Sequence, residues 1–206
     1  MSVRRIATAC ALLIVAAILG CLAADVLGWR EAIQRGDRTF ARAAADATWN
    51  ANALLPADPA RDLLGLDLPL RFRSAERTFV AVQAAGQGFD NGLSETRNRG
   101  EAEAELAQLA RSRNHVIASQ ANNLLGILAF ADSSQTGPSA AAPVDQSVAD
   151  FQAAVRLDPT NADAKFNLEL LLRQLVARGV RHGPGSSAGA THGRRGAGGG
   201  LPGRGY

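Results

Sequence analysis

Nineteen consecutive residues near the start of the chain, 6–24 (IATACALLIVAAILGCLAA), carry no charge. No other stretch restricts the fold so strongly. A helix rises about 1.5 Å per residue, so the run measures about 28 Å, close to the roughly 30 Å hydrocarbon core of a bilayer. Arg4 and Arg5 precede it, and Trp29 follows at about headgroup depth, where an indole can keep its N–H in water. Residues 6–28 therefore read as a transmembrane signal anchor behind a short basic N-terminus, residues 1–5.

Two other fates of this segment compete. A signal peptide would be cut after Ala23 or Ala24, although the run is longer than a usual apolar region and Leu22 is large for the position three before a cut after Ala24. Ile18-Leu19-Gly20-Cys21 loosely resembles a lipobox, which keeps lipidation of Cys21 open despite the bulk of Leu19. Arg4 and Arg5 argue for an inside N-terminus and an outside body, in a single-pass protein of the cell membrane. Arg30, Arg35, Arg38 and Arg42 argue the other way, partly offset by Asp25, Glu31 and Asp37.

Beyond the anchor the pattern is helical throughout, and no alternating strand is evident. Aromatic residues are only 5%, so any core is built from Ala, Leu and Val, and Ala and Leu favour helices. A helical region over 30–113 comes first. It contains a polar helix continuing from the anchor over 30–48, and a proline-bearing loop over 49–60. Asp58 caps a short helix that starts at Pro59 and runs through Leu64. A helix over 69–85, a glycine-rich break at 86–92 and a helix from Ser94 to Arg111 complete it, the last with Ala102, Leu106 and Leu109 inward. Glu101, Glu103 and Glu105 spread around its surface.

A second unit follows over 114–178. Its first helix, 114–132, places Ile117, Ala121, Leu124, Leu128 and Ala131 on one stripe. Residues 133–143 read as a linker. Asp145 opens a helix over 146–157 with Val148, Phe151 and Val155 inward, and Asp158-Pro159 ends it. Asn161 caps a last helix, 162–179, with a seam of Leu168, Leu171, Leu172 and Leu175.

The stretch 147–175 resembles the tetratricopeptide repeat. Ser147 takes the first small position of a second repeat helix, followed by Phe151, Ala154 and Pro159. Phe166, Asn167 and Leu168, with Leu172 four residues on, match the start of a further first helix. Upstream, Leu125 and Gly126 fit the first-helix pattern, with Ala129 in place of an aromatic. The step from Ala129 to Ser147 is nine residues too long, which implies an insertion, SSQTGPSAA. Ala75, Phe79 and Val82 echo an earlier second helix. The resemblance implies a degenerate helical hairpin and capping helix that bind a protein, with Asn122, Asn123, Lys165 and Asn167 on the exposed face. The layout as a whole resembles small actinobacterial membrane proteins encoded beside MoxR-type AAA+ ATPases and von Willebrand A-domain proteins, similar to the tetratricopeptide members of Bat-type clusters. Its carriers are the anchor, 54–66, 161–175 and the GRRGAGGGLPGRGY end. That resemblance implies a partner from such a system at the membrane.

The tail differs from the body. Residues 173–206 hold six Arg and no acid, while residues 1–172 hold sixteen basic and nineteen acidic side chains. Residues 181–206 include ten Gly, too little apolar surface to offset the entropy of ordering. This Gly/Arg-rich tail reads as disordered, and its charge suits anionic lipid or another polyanion. Nucleic acid is disfavoured because aromatic side chains are not interleaved with the Arg. No nucleophile motif, phosphate loop or dinucleotide fingerprint is present. His115, His182 and His192 lack metal-ligand spacing. The expectation is an all-α, non-catalytic chain without cofactor: a membrane-anchored adaptor. Polyanion binding through the tail and a purely structural role in a membrane complex are the alternatives.

Overall fold

A computed structural model describes residues 3–85, 92–135 and 141–177. All regular structure among them is helical: α1 (Val3–Arg42), a 3-10 turn (Ala44–Asp46), α2 (Pro59–Leu63), α3 (Asp67–Ala85), α4 (Gly92–Leu109), α5 (His115–Gln135), α6 (Ala141–Leu157) and α7 (Ala162–Ala177). The disorder expected for 181–206 lies outside the described residues, as does most of the break expected at 86–92.

The anchor and the first body helix are one element. α1 runs 40 residues without interruption. Its apolar N-terminal half stands clear of the body, with Leu12, Leu13, Ile14 and Leu19 all exposed. Among the described residues it is the one helix long and apolar enough to cross a membrane.

The other half of α1 carries a seam of Asp25, Trp29, Ala32 and Gly36, all buried, spaced about one helical turn apart. Here one expectation is corrected. Trp29 does not keep its N–H in water: it is 3% exposed, and the indole donates to both carboxylate oxygens of Asp58, at 2.9 and 3.0 Å. The same carboxylate caps α2, accepting from the Arg61 N–H at 3.3 Å, with Pro59 in the first turn. The cap was legible in the sequence; its second duty was not. A buried indole requires an acceptor, and Asp58 supplies it from 29 residues away.

The return loop is bound as tightly at its other end. Asp37 accepts from the Trp49 indole at 2.8 Å and from two guanidinium nitrogens of Arg73 on α3, at 2.8 and 3.1 Å. A Cβ on Gly36 would come within 2.4–2.6 Å of the Trp49 ring and the Thr48 carbonyl, so only glycine allows the loop to cross α1 this closely.

From α3 onward each helix packs on the next. The first, third and fifth of this series also meet: α3 contacts α5, and α5 contacts α7. α3 therefore stands in the row of α5 and α7, which corrects its reading as an earlier second helix. Ala75, Phe79 and Val82 are instead core residues, packed with Ala102, Leu106, Leu109, Ile117, Ala121 and Leu128. Val144, Phe151, Leu171 and Leu175 form a neighbouring cluster, and Ile127 borders both.

The expected linker 133–143 is shorter than its composition suggests. α5 continues to Gln135 and α6 begins at Ala141. Pro143 is tolerated because it sits in the first turn, where its missing N–H would have no intrahelical partner. Pro69 occupies the same place in α3. Asp145 thus lies within α6 and does not open it.

Candidate functional site

α5 and α6 pack closely, because one glycine, two serines and one aromatic ring meet at their contact. A Cβ on Gly126 would lie 2.7, 2.8 and 3.1 Å from three carbons of the Phe151 ring. Ser147 donates to the Gly126 carbonyl at 2.7 Å, and Ser119 donates to the Ala154 carbonyl at 2.8 Å. Both hydroxyls are buried and satisfied, as buried polar groups must be. At this contact Leu125 is half-buried, and Gly126, Phe151 and Ala154 are buried.

α7 is set on this pair by its own N-terminal turn. Asp158 accepts from the Thr160 N–H at 2.9 Å and from its hydroxyl at 2.6 Å. These bonds, with Lys165 as a smaller contributor, hold the Asp158 carboxyl below its ordinary range. Pro159 is exposed in the turn. Asn161 caps α7 through the Ala164 N–H at 3.0 Å, and its amide donates to Ser119 at 2.9 Å. One asparagine thus starts the helix and fixes it to α5.

The four residues expected on a common partner face do not share one. Asn123 is buried, and its side-chain oxygen accepts from Asn167 at 2.9 Å, so this pair ties α5 to α7. Asn122 is half-buried and donates to the Ala118 carbonyl of its own helix at 2.7 Å. Lys165 is exposed. The packing roles expected on α7 also divide. Leu168 is half-buried against the core, but Phe166 is 64% exposed and Leu172 is exposed as well. Ala164, Leu171 and Leu175 fill the interior instead.

The result is a helix whose apolar surface is wider than its cover. Val155, Leu168, Leu172 and Val176 line an open groove of about 520 Å³, rimmed by Lys165, Glu169 and Arg173. Val176, at its far end, is 75% exposed. Glu169 and Arg173 pair one turn apart on the rim. Sequence reasoning found Lys165 but missed Val176 and placed Leu172 inside. The available signal was an apolar set on α7 broader than one buried stripe needs.

A second depression of about 470 Å³ lies between α4, α5 and α6, with Glu103, Asp132 and Asp150 among its lining residues. Burial pushes the Asp150 carboxyl above its usual range, against the opposing hydrogen bond from Gln146. Arg99 spans this side, reaching Glu103 at 3.2 Å, Asp132 at 2.7 Å and the Leu128 carbonyl at 2.7 Å. Glu103 is therefore paired one turn from Arg99 within α4, and Arg99 itself carries the link to α5 through Asp132 and the Leu128 carbonyl. Among the described residues no three His, Cys, Asp or Glu side chains converge to hold a metal ion. The chain matches no family model, no curated protein and no solved structure.

Proposed function

We propose that this protein is a membrane-anchored, non-catalytic adaptor that seats an amphipathic helix of another protein in the α6–α7 groove. The observation that carries the reading is the uncovered apolar flank of α7, where Leu172 and Val176 stand open beside Val155 and Leu168. Helix-in-groove recognition uses this form: apolar anchors enter a groove while charged rims set register. Lys165, Glu169 and Arg173 supply a mixed rim. A contiguous apolar surface bordered by charges marks an interaction site more often than a free surface.

The apolar half of α1 supports the second part of the reading, confinement to a membrane; the inside N-terminus of that reading rests on Arg4 and Arg5 ahead of the apolar run. Binding confined to a surface gains effective concentration without new contacts. The repeat-like sequence of α5–α7 and the overall layout favour a partner from a von Willebrand A-domain or AAA+ system. The test is recovery of the tagged full chain from native membranes. Leu172→Glu with Val176→Glu should lose the partner while helix content and membrane retention stay unchanged. Undiminished recovery by the double variant would remove the groove from the account.

A further inference from the structure

Residues 50–66 pack beside the root of the anchor. Leu22 lies inside the charge-free run, yet it packs against the cluster of Trp29, Ala60 and Leu66. Asp25, the first residue after the run, is buried and accepts from the N–H groups of Leu54 at 2.7 Å and Leu55 at 3.0 Å. The loop backbone is thereby fixed at the level of residue 25. Trp29, about 6 Å further along the helix, holds the loop a second time, its indole N–H donating to the Asp58 carboxylate. Two levels of α1 thus clamp the segment, the lower one at the end of the apolar run.

This segment turns several leucines outward, interspersed with the exposed polar side chains of Asn50, Asn52 and Asp62. Leu54 is 65% exposed and Leu63 69% exposed, with Leu64 and, on α1, Leu27 also exposed. Two of its polar side chains are turned to partners: Asp58 to Trp29, and Arg61 to Asp67 at 2.7 Å. Ala57 and Asp58 both adopt left-handed backbone angles, φ 65° and 50°, which fixes the loop at some cost in strain. Exposed leucines are unfavourable in water and favourable at the boundary between headgroups and acyl chains.

We propose that residues 50–66 form an interfacial foot, with Leu54, Leu63 and Leu64 seated in the lipid boundary beside Leu27. The inference rests on the anchor reading, since the level of Asp25 is interfacial only if residues 6–24 lie in hydrocarbon. Lipid is the occupant because hydrogen bonds hold the segment at the height where the apolar run ends. A foot of this kind fixes the tilt and height of the body, so the α7 groove is presented at a set distance from the bilayer.

The experiment uses the full chain with Cys10→Ala and Cys21→Ala in vesicles of phosphatidylethanolamine and phosphatidylglycerol. Single cysteines at Leu54→Cys, Leu63→Cys, Leu64→Cys, Val15→Cys and Val176→Cys carry an environment-sensitive fluorophore. At the three foot positions, emission should shift to the blue, fall with shallow nitroxide lipids and resist iodide. Val176→Cys should stay open to iodide, and Val15→Cys should be quenched by deep nitroxide lipids. If the foot positions are open to iodide while Val15→Cys is lipid-quenched, the foot is overturned and the anchor stands. Foot positions shielded from both quenchers would mean a protein cover, which also overturns it. Loss of lipid quenching at Val15→Cys would overturn the anchor reading and the foot with it.

Discussion

Replacing Gly126 by alanine tests how closely α5 and α6 approach. The added Cβ would meet Phe151 ring carbons at 2.7 and 2.8 Å, where ordinary contact begins near 3.4 Å. Phe151 is buried and boxed in by its cluster, so the ring cannot swing aside. Overpacking of this kind costs about 2–3 kcal/mol, offset by about 1 kcal/mol of improved helix propensity, leaving a net loss of about 1–2 kcal/mol. Gly100, inside α4, is the matched control, because nothing lies within 4 Å of its added Cβ. The same substitution there should raise stability by about 0.5–1 kcal/mol. Urea melts followed by circular dichroism in mild detergent would give both signs. Phe151→Leu should relieve the clash, so the double variant with Gly126→Ala should be more stable than the sum of the single losses predicts. If both glycine variants stabilise, or if Gly126→Ala and Phe151→Leu are additive, the close approach of these helices is refuted.

Three further outcomes follow from the body. Asp58→Ala removes the α2 cap and strands the buried Trp29 N–H, so stability should fall by about 2–4 kcal/mol in the same melts, and a change under 1 kcal/mol would contradict the double role. Ala57→Gly relieves a left-handed non-glycine residue and should stabilise by about 0.5–1 kcal/mol, with a loss counting against the loop conformation. The pH dependence should have two arms. Arg73, donating to Asp37 beyond the charge-free run, holds that carboxyl below its ordinary range despite partial burial, so its contribution is complete above about pH 4 and fades as pH falls through the depressed value. Asp150, raised mainly by burial, acts oppositely: stability declines as pH climbs from about 4 through its raised folded value. Asp37→Asn should reduce the acid arm and Asp150→Asn the upper one, to which Glu76, also raised by burial, contributes as well, as read from melts across pH 2–7.

The parts legible in the sequence were those governed by local periodicity. Ala102, Leu106 and Leu109 announced themselves by spacing, and all three are buried. Asp58-Pro59 and Asn161 carried their caps in the residues themselves. What escaped were pairings between distant segments. Nothing near Trp29 points to Asp58, and nothing on α5 shows that Asn123 meets Asn167, 44 residues on. A tryptophan one turn past an apolar run fits a headgroup position equally well until the loop that covers it is known. The α7 seam was mistaken by one residue for a similar reason. Leu171 and Leu172 have equal claim on an apolar stripe, and only the position of α5 and α6 decides that Leu171 goes inside. That choice leaves Leu172 on the groove.

The groove is the centre of the account, and photo-crosslinking along α7 in native membranes tests it most directly. A photoreactive amino acid would replace Leu172, Val176, Asp163 or Glu169 singly in the full chain. The account predicts one discrete adduct to another membrane-associated protein from Leu172 and Val176, weaker transfer from the rim at Glu169, and none from Asp163, which is exposed but does not line the groove. Equal labelling at all four positions, or no adduct from Leu172 and Val176, would contradict it.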